Sequence, residues 1–249
     1  MQNWLDAATA TWEECRDYLA EYPNAILPMG ATEQHGPHLP QNTDTLLAEA
    51  TAQRVAEQTR GLLLPALPVG YSWSWRDYPG TLSFSCDTLQ AVVKDLASSL
   101  ERSGCQSLLI LHGHGANPNP IKYALRELAD VLELRVLQVF YPHLNQLRKE
   151  VESTMWGGGN FHAEEVETSM MLYLHPDLVR MDRALREYPD SAIEYDMSAL
   201  PMGVLSQSGV FGDATVATRA KGERFLHLWV ERVVELWEEF LGRDSRKRE

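Results

Sequence analysis

Ala25-Ile26-Leu27-Pro28-Met29-Gly30-Ala31-Thr32-Glu33-Gln34-His35-Gly36-Pro37-His38, with Asn42-Thr43-Asp44 shortly after, joins an apolar run to a polar loop broken by glycine and proline. The run Ala25–Pro28 reads as a buried strand. The loop that follows gathers a Glu, two His and an Asp. Ligand-type side chains therefore sit where a sheet strand ends, the usual ligand position in open α/β folds. This pattern points to an enzyme with a metal site.

Working outward, apolar runs alternate with helical patterns. Ala25–Met29 is followed by Asp44–Gln58, Leu62–Val69 by Asp87–Glu101, and Leu108–Leu111 by Pro120–Ala129, with Arg135–Phe140 closing the series. That order predicts an α/β fold, a three-layer α/β/α sandwich with a mostly parallel central sheet. Asp87 is the expected N-cap of its helix and Gly104 its stop. Phe225, Leu228, Trp229, Val233, Leu236, Trp237 and Phe240 give a last long helix a wide apolar face for packing. Glu187–Ala214, rich in Pro, Gly and Ser, reads as a surface excursion. The charged tail Arg243–Glu249 reads as frayed.

Composition bounds the function. The chain has 249 residues with 44% apolar and 23% charged content, enough for one core and a single domain over 1–249. Its 22 basic and 35 acidic side chains leave a net charge of −13. That argues against a nucleic-acid or membrane partner, both of which need a basic patch, and favours a small-molecule substrate. Cys15, Cys86 and Cys105 are odd in number and lack zinc-type spacing, which fits a reduced, cytoplasmic compartment. Met1–Ala20 has neither the basic start nor the apolar core of a signal peptide.

Two further clusters resemble the first. Leu111-His112-Gly113-His114-Gly115-Ala116-Asn117 also follows a buried strand, and its glycines let an imidazole turn inward. Gly157-Gly158-Gly159-Asn160-Phe161-His162-Ala163-Glu164-Glu165-Val166-Glu167-Thr168-Ser169 puts His162, Glu165 and Ser169 along one face if helical. Spacing alone does not choose among the three glutamates. Imidazoles and carboxylates from three loops suit a borderline divalent ion such as zinc, manganese or iron. Each residue also has a structural reading. His38, His143, His175 and His227 read as hydrogen-bonded structural histidines, His112 stays open, and Glu164 reads as a solvated carboxylate. As a set, Glu33, His35, Asp44 and His114 ask for too many desolvated polar groups unless something binds them.

These motifs resemble the creatininase family of metal-dependent amidohydrolases. The resemblance runs through Pro28–Pro40, Asn42-Thr43-Asp44, Pro79–Ser83, Gly113–Asn117, His162-Ala163 with Glu167-Thr168-Ser169, and Ser208–Asp213. It implies a two-metal centre, hydrolysis of a cyclic amide or related bond, and a homo-oligomer, often a hexamer. Carried over, it implies one ion on Glu33, Asp44 and His114 and a second on His35 and Asp44, with Asp44 bridging. Creatinine amidohydrolase carries a Glu two residues past the Gly-His turn, where this chain has Ala116. Glu165 is therefore the expected fifth ligand. The resemblance gives His162 the general acid/base role, and an imidazole that titrates near neutrality suits it. Trp73, Trp75 and Trp156 are the expected pocket wall, since aromatic faces grip planar heterocycles. Family substrates include creatinine, formamidopyrimidines, a keto-inositol and peptide precursors. A cyclic amide or formamide is the expected choice. Ring C–C, ester or peptide hydrolysis, or an inactive metal-binding scaffold, are the alternatives.

Overall fold

The computed structural model describes residues 4–140, 147, 149–154, 161–190 and 199–243. Three six-residue strands, β2 (Asn24–Met29), β4 (Ser107–His112) and β5 (Arg135–Phe140), form the body of a parallel sheet, extended by β1 (Leu5–Asp6) and β3 (Leu62–Leu63). The strand order is β1-β3-β2-β4-β5, every pairing parallel. The helices are α1 (Trp12–Glu21), α2 (Thr43–Thr59), α3 (Cys86–Arg102), α4 (Pro118–Leu128), α5 (Glu165–Leu174) and α6 (Arg219–Gly242).

Strand alternation sorts the core into two halves, as a sheet covered on both faces requires. Ile26, Leu109, Leu111 and Val139 pack with α2, α5 and α6. Ala25, Leu27, Met29, Leu108 and Ile110 face the other way, into the core formed with α1, α3 and α4. The three-layer sandwich read from the sequence is the architecture observed. From β2 the chain crosses through α2 to β3 on one side, and from β4 it crosses through α4 to β5 on the other. The neighbouring ends of β2 and β4 thus form the topological switch point, where such sheets place their ligands.

Local details differ from the sequence reading for identifiable reasons. The expected strand Leu62–Val69 pairs regularly only at Leu62–Leu63. Pro65 and Pro68 bring no N–H, so past Leu63 the chain follows β2 through single bonds such as Leu67 N to Pro28 O at 3.0 Å. The N-cap of α3 is Ser85, whose hydroxyl accepts from Thr88 N at 3.1 Å, and Asp87 instead lies in the first turn. Glu187–Ala214 is not a surface excursion in the part described. Val210, Phe211 and Ala214 are fully buried, and β7 (Gly212–Asp213) pairs antiparallel with β6 (Arg186–Glu187).

On α6, Phe225, Trp229, Val233 and Trp237 recur every four residues and are buried against α2 and α5. The contact with α5 is close enough that a Cβ on Gly222 would lie 1.8 Å from the Ser169 carbonyl oxygen. Gly222→Ala is expected to lower stability by about 1–3 kcal/mol through overpacking, read as a fall in the denaturant midpoint.

Candidate metal centre

The β2 end, the first turn of α2, the β4 end, the loop before α5 and the first turn of α5 each send one or two polar side chains to the switch point. His114 Nδ1 lies 3.2 Å from Glu33 Oε1 and 3.1 Å from Asp44 Oδ2. His35 Nε2 lies 2.9 Å from Asp44 Oδ1 and 3.9 Å from Glu167 Oε2. His162 Nδ1 lies 3.9 Å from Glu33 Oε1. Donor atoms fall within 4.8 Å of one another in three sets, Glu33 with Asp44 and His114, His35 with Asp44 and Glu167, and Glu33 with His35 and His162, and Asp44 belongs to the first two. All six residues are buried.

Three backbone carbonyls set the imidazole protons. His35 Nδ1 faces the Glu33 carbonyl at 3.1 Å, His114 Nε2 the Tyr71 carbonyl at 2.9 Å, and His162 Nε2 the Gln34 carbonyl at 2.7 Å. A carbonyl only accepts, so each of these nitrogens donates and the other ring nitrogen turns its lone pair towards the carboxylates. Both oxygens of Glu33 and Asp44 Oδ2 are buried and accept no hydrogen bond. Buried anionic oxygens facing lone pairs are costly unless a cation stands between them. The donor set, three carboxylates with imidazole nitrogens and no thiolate, fits a divalent ion such as zinc or manganese.

Without an ion, protons take up that charge. Burial works to lower the His35 pKa, yet Asp44, Glu167 and Glu33 outweigh it and raise it to about 10. His114 is raised in the same way, against burial, by Glu33 and Asp44. Burial would raise Asp44, but His35 and His114 hold it well below the usual carboxylate range. Burial pushes Glu167 up to about 7, with Asp44 and Glu33 adding and His35 opposing. Burial and then the charge of His35 hold His162 well below the usual imidazole range.

The structure does not bring Glu165 into this cluster. Glu165 Oε1 pairs with Lys221 Nζ at 2.6 Å, and Oε2 accepts from Glu152 N at 2.9 Å and Ser153 N at 2.7 Å. The reason is helical phase. Glu164 caps α5 by accepting from Val166 N at 2.8 Å, so the helix starts at Glu165, and two residues turn it by about 200°. Glu165 then faces Lys221 on α6, while Glu167 faces His35 and accepts from Ala163 N at 2.6 Å. Glu164 itself is buried rather than solvated. His162 precedes the helix and pairs with Phe211 across a single bridge, so the expected face of His162, Glu165 and Ser169 does not form. Glu167 was within reach of the sequence, since it stands in a motif of the resemblance. The missing signal was the helix start.

Trp75 is buried and stacks on His162, ring centroids 4.3 Å apart and planes at 21°. Trp73 is half-buried, with the Arg76 guanidinium 4.0 Å above its ring. Trp156, His143 and the glycines 157–159 lie outside the described residues. His38 and His112 keep structural partners, Thr168 Oγ1 at 2.9 Å and Gln138 Oε1 at 3.1 Å, and burial pushes each down to about 4. His227 pairs with Glu231 on the surface at 3.1 Å.

The Creatininase family profile, described as creatinine amidohydrolase, matches residues 8–237. The chain belongs to the creatininase family. It is 34% identical to creatinine amidohydrolase of Pseudomonas putida, over 92% of this chain and 95% of the relative. It is 30% identical to the mycofactocin precursor peptide peptidase of Mycobacterium ulcerans (strain Agy99), over 82% of this chain and 80% of that one. A solved creatinine amidohydrolase superposes with a TM-score of 0.85 at 31% identity, covering 97% of this chain and 99% of its own. Among other solved creatininases, a mutant described as Zn-Zn type covers 96% of this chain and 99% of its own, and one described with Mn covers 96% and 100%. Both superpose with a TM-score of 0.83 at 32% identity. These relatives make the chain a creatininase-family hydrolase. Among the described residues no helix is long and apolar enough to cross a membrane.

Two outcomes follow from this geometry. Glu165→Ala leaves the N–H groups of Glu152 and Ser153 without their acceptor, while Lys221 keeps Glu152 Oε1 at 2.6 Å and the Val216 carbonyl at 2.8 Å. The substitution is expected to cost about 1–3 kcal/mol in urea unfolding. In the metal-free protein, His35 is raised from 6.5 to about 10 and Glu164, chiefly by burial, from 4.5 to about 8. Groups raised on folding stabilise below their unfolded values and lose that contribution as pH climbs through the folded ones. Chelated protein is therefore expected to lose stability between about pH 7 and pH 10, measured as a falling thermal midpoint that loading with zinc restores.

Proposed function

We propose that this chain is a metal-dependent amidohydrolase that opens the C–N bond of a cyclic amide or formamide in a small molecule. In this reading Glu33, Asp44 and His114 hold one divalent ion and His35, Asp44 and Glu167 hold a second. The observation that carries it is the pair of three-donor sets sharing Asp44, with His162 beside them. Zinc suits the donors best, with manganese and iron as alternatives. When bound, the ions supply a water acidic enough to attack at neutral pH and a Lewis acid for the attacked carbonyl.

The chain's own residues handle the proton. With Nε2 donating to the Gln34 carbonyl, His162 has Nδ1 free on the side of Glu33. Its lowered pKa makes it neutral at the start, so Nδ1 takes a proton during attack and returns it to the leaving nitrogen. Trp75 lies across the His162 ring and holds its plane. Trp73 and Trp75 then serve as the wall against which a planar substrate rests. A homo-oligomeric working unit belongs to the same reading. Relatives named as peptide peptidases support a second reading, a peptide C–N bond, in which the same residues keep their roles.

The test joins metal counting to a hydrolysis screen over creatinine, formamidopyrimidines, small lactams and short peptides after zinc, manganese or iron loading. Two ions per chain and turnover of one class are expected. His162→Ala should keep both ions and reduce kcat by about 10²–10⁴-fold. Glu167→Gln should lose one ion, and Glu165→Ala none. One ion or none, with no turnover under any loading, would sink the proposal, and loss of ions in His162→Ala would recast that residue as a ligand.

A further inference from the structure

Asn117 stands at the N-terminus of α4, a position where an Asn side chain ordinarily accepts from the second or third helical N–H. Here it makes no such cap. Pro120, third in the helix, has no N–H to offer. The fully buried amide of Asn117 is spent elsewhere: Nδ2 donates to the Gly30 carbonyl and Oδ1 accepts from Tyr71 N, both at 2.9 Å. It therefore ties the end of β2 to the segment after β3.

Tyr71 is gripped from both sides by one turn of chain. Its N–H goes to Asn117 and its carbonyl accepts from His114 Nε2 at 2.9 Å. The space is fitted to this arrangement, since a Cβ on Gly70 would meet Asn117 Oδ1 at 2.3 Å and the Gly30 carbonyl oxygen at 2.8 Å. We infer that Asn117 is a positioning residue for the metal centre: by holding Tyr71 it keeps the His114 proton on Nε2 and aims Nδ1 at the ion shared with Glu33 and Asp44. The inference rests on the two-ion reading. It reaches beyond that reading because Asn117 touches neither ion nor substrate. Among the described residues the Asn117 side chain bonds to Gly30 and Tyr71, and not to His35, Glu167 or their partners Glu33, Asp44 and Ala163, so its effect should fall on one ion alone.

The experiment is a zinc titration of apoprotein against a chromophoric chelator, with far-UV circular dichroism to confirm folding. In Asn117→Ala one zinc is expected to bind about ten- to a hundredfold more weakly, the other as in wild type. The weakened ion should be the one lost in His114→Ala, so Asn117→Ala adds nothing to a His114→Ala background. Asn117→Asp keeps an acceptor for Tyr71 N and should bind that ion more tightly than Asn117→Ala does. Should Asn117→Ala fail to fold, Asn117→Ser is read against the same outcomes. Two unchanged affinities, equal weakening of both ions, or no recovery in Asn117→Asp would overturn the inference alone. Fewer than two ions in the wild type would overturn both it and the two-ion reading.

Discussion

Three carboxylates buried together, Glu33, Asp44 and Glu167, are the constraint on which the rest of this structure depends. Like charges in a desolvated pocket repel, and the neighbouring imidazoles relieve them only when positively charged or when a metal ion stands between. One nitrogen of each imidazole donates to a backbone carbonyl, so Glu33 Oε1 and Asp44 Oδ2 gain a donor only when His114 Nδ1, at 3.2 and 3.1 Å, takes up a second proton. A cluster arranged this way is unsatisfied without a cation, and that requirement links the architecture to hydrolytic chemistry.

The sheet makes the arrangement affordable. The ends of β2 and β4 lie side by side because their connections leave in opposite directions, the position at which such sheets place ligands. Trp75 stacks on His162 with Phe211 edge-on against Trp75, while the Lys221–Glu165 pair ties α5 to α6. Glu165 is as buried as Glu167 but has the opposite task. One glutamate is satisfied by an ammonium and two amides; the other is left facing imidazole and carboxylate.

Much of the fold was legible because it depends on local pattern. Arg135–Phe140 is a strand with the bounds its apolar run indicated, and α2 and α3 lie within one residue of their expected limits. Where the reading failed, a longer-range interaction decided. Leu62–Val69 looks uniformly apolar, yet two prolines limit its ladder. Glu187–Ala214 looks like a surface excursion by composition, yet strand pairing and the packing of Phe211 bury its end from Val210 to Ala214. At the site, Glu33, His35 and Asp44 stand in one loop and the helix turn after it, and His114 at a strand end, so spacing was enough to group them.

The sequence by itself determined the family, the parallel α/β architecture and the kind of donor atoms available, because periodicity and motif spacing are written along the chain. Only the tertiary structure decided which glutamate of Glu164, Glu165 and Glu167 turns inward, since a helix rotates about 100° per residue and its phase is set by a cap, not by composition. It alone decided which nitrogen of each imidazole is free, because the carbonyls that make that choice come from Glu33, Gln34 and Tyr71, and two of those three pairings join residues more than forty positions apart.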